Sequence, residues 1–262
     1  MLRLPALLLT SLVALLLSAC ATQTVRDTEP RTDSDASQSE RRAATRIELA
    51  AGYFARGQFN VALDELKQAL ALQPNSREAL NLRALVLAAM GDNAAADEAF
   101  RRILAIYPRD PDTLHNQAWF WCQQGRLEAA HQAFDEAIAQ PNYRGVARSW
   151  LARGACDMRH QRWFEAERSL ARAFELDPAN PAAAYHLAES LLQLGQAERA
   201  RFYAARVNAE PSQINAQSLW LATRIEHKLG NRAGVTEWGQ RLVREFPQSN
   251  EALSYGAGRF ER

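Results

Sequence analysis

Three regimes of polarity succeed one another along the chain. Residues 4–17 are mostly leucine, alanine and valine, and residues 21–42 are almost wholly polar. From Ala43 onward apolar residues recur at helical spacing, in pairs of helical patterns rather than in one continuous stripe. Glycines punctuate this third region at positions 57, 91, 125, 195 and 230, and prolines at 74, 108, 141, 178, 211 and 247. Most steps are close to 34 residues. Setting each late proline near position 32 of a unit predicts six units, at 43–76, 77–110, 111–144, 147–180, 181–214 and 216–249.

Within a unit, small residues fall at positions 8, 20 and 27 and a large one at position 24. The fourth unit supplies Gly154, Ala166, Leu170, Ala173 and Pro178, and the first supplies Ala50, Ala62, Leu66, Ala69 and Pro74. Small residues let two helices approach closely, and large ones fill the grooves between them. A glycine near position 15 ends the first helix in a left-handed conformation, and the proline ends the second. This is the tetratricopeptide (TPR) pattern. It predicts an all-α superhelical solenoid of about six helix-turn-helix repeats, closed by a short C-terminal capping segment, 250–262, that frays. One repeat cannot bury its apolar face alone, so stacking is obligatory.

Three departures carry expectations. Gln161 replaces the turn glycine of the fourth unit, so that turn should differ. About two extra residues near Gly145-Val146 lengthen the loop after the third unit. The sixth unit is weak, with Thr223, Glu226, Val235 and Gly239 at signature positions.

In TPR arrays the first helix of each unit lines the inner curve. The positions expected there are Asn81, Leu85, His115, Trp119, Leu151, Met158, Tyr185, Leu192 and Trp220, together with Arg224. That wall is mostly apolar and aromatic, and the Lys/Asn/Arg set of a peptide-carboxylate clamp is missing from it. It suits an amphipathic helix or an extended apolar peptide of a protein partner.

Charge narrows the partner class. The 262-residue chain has a formal net charge of +1, which argues against nucleic acid and against a polybasic membrane patch. The leading apolar run is too short for a membrane-spanning helix of about 20 residues. With Arg3 before it and Ser18-Ala19-Cys20 after it, residues 1–19 read as a signal peptide. Leu17-Ser18-Ala19-Cys20 resembles the bacterial lipobox. The resemblance implies cleavage before Cys20, with diacylglycerol on its thiol and an N-acyl chain (such as palmitate) on the new amine. More than one acyl chain holds a protein stably to a bilayer. Ala21, rather than Asp, follows the cysteine, which implies an outer-membrane anchor facing the periplasm. Residues 20–42 are then the lipidated cysteine and a disordered tether, spanning roughly 25 Å as a coil.

No P-loop, nucleophile elbow or zinc-protease helix motif occurs, and the five histidines lack metal-ligand spacing. The chain is expected not to be an enzyme, to hold no metal or diffusible cofactor, and to take no small-molecule substrate. Cys122 and Cys156 occupy similar heights on the first helices of the third and fourth units. In an oxidising periplasm they form either a disulfide or two buried thiols.

The run "NQAWFWCQQG" from Asn116, the continuation through "RSWLARGACDMR", and "SLWLATRIEHKLGNRAGVTEWGQRLVREFPQSNEA" resemble the PilF/PilW family of type IV pilus biogenesis lipoproteins. The likeness runs from residue 20 to about 253. It implies a pilotin that escorts or stabilises the pilus secretin in the outer membrane, and so a role in twitching motility. No short motif carries individual contacts across. The alternative expectation is a TPR lipoprotein scaffold for barrel assembly or for recruiting peptidoglycan hydrolases.

Overall fold

The computed structural model describes residues 37–260. Within them the chain forms thirteen α-helices: α1 Gln38–Ala55, α2 Phe59–Leu72, α3 Arg77–Ala89, α4 Asn93–Ile106, α5 Pro111–Gln123, α6 Leu127–Ile138, α7 Val146–Arg159, α8 Trp163–Leu176, α9 Pro181–Gln193, α10 Ala197–Ala209, α11 Ala216–Lys228, α12 Arg232–Glu245 and α13 Asn250–Gly256. Consecutive helices pack antiparallel in pairs, and α13 closes the array against α11 and α12. Each odd-numbered helix from α3 to α11 also touches the odd-numbered helix before it. No comparable contact joins consecutive even-numbered helices among the described residues. The odd-numbered helices therefore form the inner, tighter wall of the curve. No described helix is long and apolar enough to cross a membrane.

Local chemistry explains where the helices begin. The side chains of Ser76, Asp110, Asn180, Asn215 and Ser249 accept backbone N–H bonds at the starts of α3, α5, α9, α11 and α13. Pro111 and Pro181 sit in the first turns of α5 and α9, where the missing N–H costs nothing. Ser37 and Glu40 form a reciprocal capping box at the start of α1. That box corrects the tether's boundary: a coil was expected through residue 42, yet the chain is helical from Gln38. A good cap and a run of helix formers (Glu40, Arg41, Arg42, Ala43) outweigh the polarity of the segment. Cys20 and the signal peptide lie outside the described residues.

The six intra-repeat turns are alike. In each, the N–H after the left-handed residue bonds a carbonyl five residues back: Gln58 to Tyr53, Asp92 to Leu87, Arg126 to Trp121, Arg162 to Asp157, Gln196 to Leu191 and Asn231 to Glu226. Gln161, expected to change its turn, adopts φ 59° beside glycines at 70–79° and keeps the same hydrogen bonds. The packing of α7 on α8 holds it there, against a left-handed penalty of about 1–2 kcal/mol.

The predicted small positions lie in the core. Ala50, Ala84, Ala118, Gly154 and Ala188 are buried in the first helices, and Ala62, Ala96, Ala130, Ala166 and Ala200 in the second. Gly154 marks a close approach of α7 and α8: a Cβ there would fall 2.5 Å from Leu170 Cγ.

The weak sixth repeat has a physical explanation in the cap. Large and small residues exchange places, with Gly239 where a large side chain is usual and Leu242 buried where alanine is usual. The ring of Tyr255, from α13, fills the space above Gly239, about where its Cβ would stand (2.0 Å). Glu226, at an aromatic signature position, is buried and paired with the Arg201 guanidinium at 2.7 and 2.8 Å. Asn231 donates to the same carboxylate at 2.6 Å. The tail beyond α13 was expected to fray, but Phe260 returns to stack on Trp220 and His227, with centroids 5.7 and 4.1 Å away.

Candidate functional site

The inner wall is built from one face of each odd-numbered helix, and its character changes along the array. From the second repeat to the fifth it presents half-buried Asn81 and Leu85 on α3, Trp119 on α5, Leu151 and Met158 on α7, and Tyr185 and Leu192 on α9. Each apolar member of this row packs its base against a core cluster and leaves an edge outward. Trp119 leans on the cluster that contains Cys122, Phe134 and Cys156. Burial holds the Tyr185 hydroxyl up at about 12, so the phenol is neutral and adds no charge to the wall. A strip of this kind can hold an apolar or aromatic face of a partner segment, with little electrostatic steering of its own.

Two residues expected on the groove are not available there. His115 is only 8 % exposed and Trp220 only 7 %. His115 turns inward, where its Nδ1 lies 2.9 Å from Ser149 Oγ and its ring forms a T-shaped pair with Phe134, centroids 5.7 Å apart. Ser149 Oγ is in turn 3.1 Å from the Tyr143 hydroxyl. Trp220 is covered by the cap, packed among Trp238, Phe246, Tyr255 and Phe260. Helical position alone cannot separate a groove residue from one sealed by a neighbouring loop or tail.

At the sixth repeat the wall also changes chemically. Arg224, expected on the inner curve, is half-buried and pairs with Glu189 of the fifth repeat at 2.9 Å. Both side chains are largely shielded, so the pair links two repeats rather than offering a free cation. The apolar strip thus ends at Leu192, where a charged cross-link and the aromatic tail close it.

Burial, the field of Arg148 next, and against them the opposing charge of Asp112 bring the His115 imidazole down from 6.5 to about 4. Burial lowers His186 in the same direction, opposed by Glu189. Between its native and unfolded values, such a histidine takes up its proton only in the unfolded chain. As pH falls from about 6.5 towards 4 the unfolded chain gains a proton that the native chain refuses, so stability is lost through that window. Thermal melts taken across it should show this decline, and His115→Gln should flatten part of it. An identical slope in the variant would assign the effect elsewhere.

The third and fourth repeats are joined covalently. Cys122 on α5 and Cys156 on α7 form a disulfide, with Cα atoms 5.9 Å apart and both residues fully buried. His160 lies beside it and bonds the Cys122 carbonyl through Nε2 at 3.1 Å. A further polar cluster escaped the sequence reading: Asp157, wholly buried, receives His131 Nε2 at 2.7 Å and faces Arg162 at 3.9 Å. Its signal was an aspartate on the packed side of α7, four residues before the substituted turn.

Tetratricopeptide-repeat family profiles match residues 47–111 and 158–220. Over 246 residues the chain is 28 % identical to the type IV pilus assembly protein PilF of Pseudomonas aeruginosa PAO1, covering 94 % of this chain and 96 % of that protein. The crystal structure of PilW, a widely conserved type IV pilus biogenesis factor, superposes with a TM-score of 0.72 at 27 % identity, over 84 % of this chain and 99 % of that one. The structure of P. aeruginosa PilF gives 0.70 at 26 % identity, over 85 % of this chain and 100 % of the other. Repeat pattern, solenoid architecture and likeness along nearly the full length agree, and the chain is a tetratricopeptide-repeat protein of the PilF/PilW type.

Proposed function

We propose that this protein is an outer-membrane pilotin for type IV pilus biogenesis. Acyl chains on Cys20 hold it to the inner leaflet, and its solenoid grips a segment of the pilus secretin. It thereby escorts the secretin subunit or stabilises its oligomer, and supports twitching motility. The observation that carries this reading is the apolar strip of Leu85, Trp119, Leu151, Met158, Tyr185 and Leu192 along the inner wall. A row of half-buried large apolar side chains is a surface that a partner segment can finish desolvating. The work is binding, with no step of covalent chemistry.

Deletion of the gene tests the reading directly: secretin multimers and surface pili should be lost, and normal multimers with intact pili would remove it. Cys20→Ala should leave the repeats folded but release them from the membrane, with secretin mislocalised. Secretin that still reaches the outer membrane in that variant would exclude escort.

The strip itself is tested by Trp119→Ala. Truncating a central aromatic anchor typically costs tenfold or more in affinity, so capture of secretin should weaken by about that factor. Helix content should be retained, because the Trp119 side chain is only half-buried. Unchanged capture would place the contact elsewhere on the array.

A further inference from the structure

The loop that lengthens the third repeat lines a cleft of its own. Residues 139–145 leave α6, pass through Asn142 in a left-handed conformation (φ 61°), and enter α7 at Gly145. Between this loop and the start of α5 lies a cleft of about 680 Å³, with Arg109, Arg144 and Arg148 on its walls. Arg148 is engaged, donating to Asp112 at 2.6 Å and to the Tyr143 hydroxyl at 3.2 Å. Arg109 and Arg144 are exposed, and neither has a hydrogen bond or ion pair among the described residues. Gly145 offers no side chain to cap α7, so the positive end of that helix adds to the same field. Behind the cleft, the Tyr143 hydroxyl meets Ser149 Oγ, which in turn contacts His115 Nδ1.

We propose that this cleft binds an acidic, extended peptide segment of a protein partner. Its carboxylates would meet Arg109 and Arg144. The shape favours a chain over a compact anion. A second cleft of about 570 Å³ shares Arg109 and Pro111 and runs on over Ile106, Tyr107 and Pro108. An extended peptide with alternating acidic and apolar residues can place carboxylates at the two arginines and an apolar side chain on that shelf. A phosphate group would bring two charges close to Asp112, whereas separate carboxylates spread one charge to each free arginine. The proposal does not depend on which protein the inner wall holds.

The test uses the purified full-length protein and a fluorescein-labelled octapeptide of alternating Asp and Leu. The control peptide carries Asn in place of Asp. Binding should be seen by anisotropy for the Asp peptide, weakening as salt is raised, and should be much weaker for the control. Arg109→Glu and Arg144→Glu should each weaken it about fivefold, and the two together at least tenfold. Arg109→Gln/Arg144→Gln should fall between, and all variants should keep the parent melting temperature, since both side chains are exposed. Equal binding of the two peptides, or an affinity indifferent to both double variants, would overturn the proposal. So would arginine-dependent binding of soluble dihexanoyl phosphatidylglycerol with no binding of the peptide, which would make the cleft a lipid-headgroup site.

Discussion

Replacing Cys122 and Cys156 together with alanine should lower the stability of the repeat domain by about 4 kcal/mol. The bridge spans 34 residues, and closing a loop of that size removes about that much chain entropy from the unfolded state. Its position adds a second consequence. The cysteines sit on the inner helices α5 and α7, on either side of the lengthened loop, where the third and fourth repeats meet. In a linear array, stability is a sum of repeat terms and nearest-neighbour terms. Loss of the covalent link weakens one such junction, so denaturant unfolding should separate into two transitions rather than shift as one. Urea melts of the parent and the double variant read both effects. A change below about 1 kcal/mol would mean that the reduced helices hold the same interface by packing alone.

Phe134→Ala should cost about 3–5 kcal/mol, the range for emptying a fully buried aromatic site. Phe134 is completely enclosed and belongs to the same cluster as the disulfide. Its neighbours are poorly placed to collapse into the space, because Ala118, Ala130 and Ala133 have no side chain to extend and Cys122 is tied to Cys156. The His115 imidazole, in a T-shaped pair with the ring, would also lose its apolar lid. The two changes act on one cluster, so combining Phe134→Ala with the cysteine replacements should depart from additivity by about 0.5–3 kcal/mol. Strict additivity in denaturant melts would show that ring and disulfide belong to separate units.

Most of the architecture was legible in the sequence because the TPR rule is local. Ala84, Ala96 and Phe100 imply a helix pair through spacing alone, and the left-handed turn needs only one permissive residue. Gln161 shows how far tertiary packing relaxes that rule: a side chain with a β-carbon takes the glycine's place when both flanking helices are already docked. At Gln38 composition and local chemistry point in opposite directions, and the Ser37–Glu40 cap prevails over the polarity of the segment.

The inner wall was legible only in part. Leu85, Trp119, Leu151, Met158, Tyr185 and Leu192 keep the exposure that their helical positions imply. His115 and Trp220 do not, because what buries them comes from distant sequence: Ser149 and Phe134 for the first, the 255–260 tail for the second.

By itself, then, the sequence determined the helix pairs, their order and the apolar bias of the first helices, since each follows from residues within one repeat. Only the tertiary structure decided which wall positions are open, that the two cysteines are joined, and that the inserted loop gathers three arginines. Those features depend on distances between repeats, and a periodic pattern fixes what each helix offers without fixing what stands opposite it.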